Sequence, residues 1–289
     1  MNNIGQFNSF STIPSNANKG FMDSNTFISK LAFLLLVAVG FVVLLNVGIT
    51  LLGYFLKPDE SPHLIDGTVD ATQMIVFPQD PSNNNAKTIY RSVNANEGLE
   101  FSWSVWIYIT SLQTNQGIYK HIFSKGNSSL QENGLIQPIN APGLYIAPNT
   151  NTLVVIMNTY NVINEEVLIP DIPMNKWVNV IIRCQNTTLD VYINGTITRS
   201  VNLIGVPKQN YGDVYVGMNG GFAGYISNLW YYNYALGTAS IQNIVNKGPN
   251  TKMIGGNGLV DKMADYLSLR WFFFGAGNSF NPSGPGGNF

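Results

Sequence analysis

The chain has 289 residues, a formal net charge of −1 and only 11% charged side chains. No basic patch interrupts it, so nucleic acid is not an expected partner. Cys184 is the only cysteine, which excludes an intrachain disulfide and a cysteine-rich zinc site and fits assembly outside an oxidising compartment.

The polar load falls on uncharged residues, above all 37 asparagines, a residue type that serves turns. Residues 1–30 are rich in Asn, Ser and Gly without periodicity and read as a disordered polar tail. Residues 31–56, LAFLLLVAVGFVVLLNVGITLLGYFL, carry no charge. As a helix they span about 39 Å at roughly 1.5 Å per residue, against a hydrocarbon core of about 30 Å, which predicts a single transmembrane helix and makes the lipid bilayer a partner. The run starts too late and is too long for a cleaved signal peptide. Asn46 lies within it and offers a hydrogen bond to a neighbouring helix. Lys19 and Lys30 precede the span, while Lys57 follows it with Asp59 and Glu60 close behind. That bias places the short N-terminus on the cytoplasmic side and residues 57–289 on the non-cytoplasmic side. On that side the acceptor sequons at Asn127, Asn186 and Asn194 become glycosylation candidates.

Residues 57–74 read as a polar linker. From 75 to 252 the pattern is one of strands. In FSWSVWIYI (101–109), Phe101, Trp103, Val105, Ile107 and Ile109 share one face, with Ser102, Ser104, Trp106 and Tyr108 on the other. Further runs follow at 118–126, at 143–160 as a hairpin with a polar loop at 149–151, and at 177–184, where Val178, Val180, Ile182 and Cys184 face one way. In TLDVYINGTITRSV (188–201), Asn194-Gly195 marks a two-residue hairpin, because both positions need φ > 0. Its register sets Tyr192 opposite Ile197 and Asp190 opposite Arg199. Runs at 213–218 and 224–233 and a short helix at 238–248 complete the pattern. Short strands with Gly, Asn and Pro turns predict an all-β antiparallel sandwich after one transmembrane helix. Residues 253–289 form a tail, first aromatic, then rich in Gly, Asn and Pro. Trp271, Phe272 and Phe273 there are either a last strand or a docking segment for a partner.

Three segments carry a family resemblance. They are FSWSVWIYI with IFSKG, then NKWVNVIIRCQNTTLDVYINGTI, then GFAGYISNLWYYNYALGTASIQNI. In order and spacing they resemble the laminin-G-like branch of the concanavalin A-like lectin/glucanase superfamily over residues 75–250, which implies a jelly roll of about 13–14 strands. The resemblance implies binding of glycans, proteins or calcium, or glycan hydrolysis. Hydrolysis needs carboxylates at same-face strand spacing. Glu165 and Glu166 are adjacent and face opposite ways on a strand, and His63 and His121 are the only histidines, so no enzymatic activity is expected. For calcium, Asp213 is the candidate, opening a strand after a Gly/Asn-rich loop. Trp106, Tyr231 and Tyr232 are candidates for stacking on sugars. The tail, the helix and the disulfide-free domain together also resemble membrane-anchored minor capsid proteins of large DNA viruses of algae and protists. That resemblance implies a structural protein linking an inner membrane to capsid or coat proteins. A membrane-displayed lectin-like attachment module is the alternative.

Overall fold

The computed structural model describes residues 27–55, 60–83, 85–92 and 98–254. The N-terminal tail and the aromatic C-terminal tail, with Trp271, Phe272 and Phe273, lie outside the described residues. The chain divides into two compact units, Met1–Pro58 and Asp59–Phe289.

The first unit contains helix α1, Phe27–Phe55, 29 residues long. It is long and apolar enough to cross a bilayer. Its large side chains are exposed, Leu34, Phe41 and Leu44 among them, as suits a helix solvated by lipid tails. The Asn46 amide donates to the Val42 carbonyl one turn back at 3.1 Å, and the Thr50 hydroxyl donates to the Asn46 carbonyl at 2.8 Å. Asn46 thus meets part of its hydrogen-bonding need inside its own helix, which lowers the cost of an amide in hydrocarbon.

The second unit holds twelve strands, one α-helix and a short 3-10 helix (Met218–Gly220) among the described residues. In chain order they are β1 (His63–Asp70), β2 (Ile75–Phe77), β3 (Glu100–Ser111), β4 (Lys120–Gly126), β5 (Asn140–Ile146) and β6 (Leu153–Met157). Then come β7 (Glu165–Ile169), β8 (Trp177–Gln185), β9 (Thr188–Ile193), β10 (Thr196–Asn202), β11 (Asp213–Val216), β12 (Ala223–Tyr232) and helix α2 (Thr238–Lys247). Among the described residues the count is twelve, against the 13–14 that the family resemblance implied. The strands form two six-stranded sheets, β1-β12-β3-β8-β9-β10 and β2-β11-β4-β5-β6-β7. Every pairing is antiparallel. The sandwich fold expected from the strand pattern is therefore present.

The core fills the space between the sheets. The alternation read in β3 and β8 holds: Phe101, Trp103, Val105, Ile107 and Ile109 face inward, as do Val178, Val180, Ile182 and Cys184. They meet Phe123, Leu144, Val155 and Val214 from the other sheet. Trp103 stacks on Phe123 with ring centroids 5.2 Å apart and meets Tyr231 edge-on at 5.1 Å. Each such pair adds on the order of 1 kcal/mol beyond the area it buries.

Two expectations change. The stretch expected to be linker contains β1, paired with β12. Register shifts between His63 and Ile65 and between Ile65 and Thr68 break the period of two, so Leu64 and Ile65 are both buried and no alternation advertises the strand. In the Asn194-Gly195 hairpin, Ile197 faces Tyr192 as expected, but a bulge between Ile197 and Arg199 places Ser200 opposite Asp190. Asp190 pairs instead with Arg183 on β8, whose Nη1 donates to Oδ2 at 2.7 Å, while the Ser200 hydroxyl donates to Oδ1 at 2.6 Å. A bulge inserts one residue and so exchanges every cross-strand partner beyond it.

Candidate functional site

On the outer face of the β3 sheet, chain returning from β12 covers part of β3, β8 and β12. The Ser102 hydroxyl donates to the Tyr234 carbonyl at 3.0 Å and accepts from the Leu236 amide at 2.9 Å. Ile241 of α2 packs on Ile181 and Leu236. Further along, the Ser227 hydroxyl donates to the Asn250 carbonyl at 2.9 Å.

Beyond that cover, three aromatic side chains stand in one row across three adjacent strands. Tyr225 on β12 lies opposite Tyr108 on β3, and Tyr108 lies opposite Trp177 on β8. The ring centroids of Tyr108 and Trp177 are 5.5 Å apart at 61°, and those of Tyr108 and Tyr225 are 6.2 Å apart at 54°. Tyr225 is 38% exposed; Tyr108 and Trp177 are half-buried. At about 4.8 Å per strand the row runs roughly 10 Å. Gly224 makes the close approach of β12 to β3 possible here. Its φ is 154°, and a Cβ would fall 1.9 Å from the Tyr108 carbonyl oxygen. The row borders an open cavity of about 430 Å³, walled also by Thr110, Thr251 and Met253. The Thr110 hydroxyl donates to the Ala223 carbonyl at 2.9 Å. Ring faces beside hydroxyls match a ligand with apolar C–H faces and polar edges.

The structure places the sequence candidates elsewhere. Trp106 and Tyr231, expected to be exposed, are 6% and 5% exposed and offer no open platform. Trp106 lies opposite Ser227, whose hydroxyl is bonded to the returning chain. Tyr231 turns into the core beside Trp103 because the ladder is irregular between Ser227 and Trp230, with Asn228 at φ 48°. That irregularity reverses the face of every later residue in β12. Its hydroxyl donates to the Tyr90 carbonyl at 3.0 Å, and burial pushes its pKa well above the usual tyrosine range. Tyr232 is half-buried against the α2 cluster and stacks on Trp230 at 5.9 Å. Burial, then the neighbouring Tyr234, push it up to about 12.

Asp213 opens β11 as expected, but its Oδ1 accepts the Gln79 backbone N–H at 2.9 Å. No group of three His, Cys, Asp or Glu side chains converges there or elsewhere among the described residues. Glu165 accepts from the Thr159 hydroxyl at 2.6 Å and from the Ile204 amide at 2.9 Å, while Glu166 beside it is exposed. Asn186 and Asn194 are exposed turn residues at φ 53° and 51°, and Asn127 is half-buried. The Asn194 Oδ1 accepts from the Asn179 amide at 2.8 Å. Sequence reasoning placed Tyr108 on the outer face but did not single out Trp177 or Tyr225. The signal was available in the two strand alternations, but only the register aligns the three rings.

A search of curated proteins returns no match. Among solved structures, similarity extends to the receptor binding domain of botulinum neurotoxin D at 15% identity and TM-score 0.45, covering 65% of this chain and 44% of that one. The binding domain of botulinum neurotoxin DC in complex with rat synaptotagmin II is similar at 18% identity and TM-score 0.41, covering 52% of this chain and 36% of that one. This chain thus spans less than half the length of those structures. A family profile described as the concanavalin A-like lectin/glucanases superfamily, of laminin-G type, matches residues 66–242. Its start within β1 agrees with the strand that the sequence pattern concealed. Through that match over more than half its length, the chain belongs to the laminin-G type of the concanavalin A-like lectin/glucanases superfamily.

Proposed function

We propose that the chain is a membrane-tethered, non-enzymatic binding module whose sandwich holds a carbohydrate on the Tyr225–Tyr108–Trp177 row. The observation that carries this reading is the register, which aligns three partly exposed rings over an open cavity with threonines at its rim. Stacking of sugar C–H faces on rings needs no charge, and the row carries none. The test is a glycan microarray probed with the full chain in a neutral detergent, followed by titration of the best ligand. Trp177→Ala and Tyr225→Ala are expected to weaken binding about 3- to 10-fold each, the worth of roughly 0.5–1.5 kcal/mol of ring contact. An array without signal, or affinities untouched by both variants, would refute the proposal.

A second reading rests on a different observation. All seven residues of the edge strand β10 are exposed, and exposed Ile197 and Leu168 lie on the edge strands β10 and β7. An open strand edge with apolar side chains suits a protein partner. With an apolar helix in one unit and such an edge in the other, the protein would act as a structural link. It would tie the membrane of a virus particle to its coat proteins, with residues 57–289 on the shell-facing side.

A further inference from the structure

A second cleft opens at an end of the sandwich and shares no residue with the Tyr108 row. Its walls come from the chain after β2, which brings Arg91, and from the β10–β11 connection, which brings Lys208 and Gln209. Lys125 from β4 reaches in beside Trp103 and Tyr231 of the core. Three of the chain's 15 basic residues therefore meet at one cleft, and no carboxylate lines it among the described residues. The narrow part has a volume of about 30 Å³, room on the order of two waters. It adjoins a wider groove of about 540 Å³ also bordered by Arg91 and Gln209.

The cations are held but not neutralised. Arg91 Nε donates to Gln209 Oε1 at 2.8 Å, and Gln209 is itself fixed by donating to the Ser92 hydroxyl at 2.8 Å. The two terminal nitrogens of the Arg91 fork have no ion-pair or hydrogen-bond partner among the described residues. Lys125, 7% exposed, donates to the Gly212 carbonyl at 2.7 Å. Burial pulls it down to about 8, against the opposing pull of Asp213. That carboxylate lies on the neighbouring strand and already accepts the Gln79 N–H. Lys208 Nζ lies 5.6 Å from the Tyr160 ring centroid, a contact that leaves the ammonium charged and without a carboxylate. A desolvated ammonium whose nearest carboxylate is shared with a backbone donor gains from a further anion, and a guanidinium fork offers paired donors to two oxygens.

We propose that this cleft binds an oxyanion group, a sulfate or carboxylate, through Arg91, Lys125 and Lys208. The group is either a free ion or the anionic substituent of a sugar. Isothermal titration calorimetry of the full chain in neutral detergent tests this with sodium sulfate and glucose 6-sulfate, at constant chloride. Saturable binding that falls tenfold or more in the double variant Arg91→Gln/Lys208→Gln is expected. Both positions lie toward the surface, so that variant is expected to keep the fold, which circular dichroism checks. Lys125→Met is a further variant expected to lose binding. Equal affinities for the two probes would assign the site to the free ion, and tighter glucose 6-sulfate binding would assign it to a sugar-borne group. No saturable heat with either probe, or binding unchanged in the double variant, would overturn the proposal. Because the Tyr108 row is untouched by these variants, its glycan binding stands or falls separately.

Discussion

His121 shows how one buried side chain gives the sandwich a pH dependence. It lies on β4, 1% exposed, with Nδ1 accepting the Met218 amide at 3.1 Å and Nε2 within 2.9 Å of the Ser124 hydroxyl. A backbone N–H already points at Nδ1, so Nε2 carries the single proton and donates to Ser124. A second proton would have to enter where a donor stands, in a dry site. Burial accordingly lowers the His121 pKa to about 3, and burial also lowers His63 to about 4 against the pull of Asp66. The unfolded chain binds these protons near the ordinary value of about 6.5. Between that value and the folded ones the unfolded state holds more protons, so stability falls as pH drops. The contribution is complete above about pH 6.5 and fades below it. For His121 the loss from pH 7 to pH 5 is about 2 kcal/mol, with His63 acting in the same direction. Urea unfolding at pH 7, 6 and 5 should show the midpoint declining, and His121→Gln should flatten the decline. A midpoint independent of pH over that range would contradict the assignment.

Helix α2 is the element that decides which part of the outer face remains open. Its Ile241, 1% exposed, packs on Ile181 and Leu236, with Ile244, Tyr192 and Tyr232 around them. Lys247 in the last turn sits favourably at the helix C-terminus. Ile241→Ala is expected to cost about 2–4 kcal/mol in a denaturant titration, the range for emptying a buried aliphatic site. Asn246→Ala on the exposed side of α2 should change the midpoint little; equal effects of the two would show that the helix does not cover the sheet. Helix α2 was legible in the sequence, as were β3 and β8, because each has one apolar face in period, and the β9–β10 hairpin was legible through its Asn194-Gly195 turn. β1 was not, because its bulges set Leu64 and Ile65 side by side in the core. β7 was not, because it is a short edge strand with two glutamates. The same physics limited the candidate site. Tyr231 reads as outward until the irregularity before Trp230 turns it inward. The Tyr225–Tyr108–Trp177 row joins residues 48 to 117 positions apart in sequence, so only strand order and register assemble it.

The whole molecule separates two kinds of surface, and their separation makes the two functional readings distinguishable in one system. The apolar helix α1 is long enough to cross a bilayer. The second unit then presents an aromatic row without charge on β12, β3 and β8, and an exposed edge on β10 two strands beyond β8. A soluble ligand reaches the row without touching the edge, whereas a coat lattice would add to or cover the edge strand. A photoreactive phenylalanine analogue at Ile197, compared with one at Tyr225, reads both surfaces in intact membranes or particles that contain the chain. The structural reading expects Ile197 adducts with one abundant, repeating coat protein, identified by mass spectrometry, and few adducts at Tyr225. If β10 stays free of adducts while glycan protects Tyr225 from labelling, the edge carries no coat contact. The carbohydrate-binding reading then stands and the coat-linking one falls.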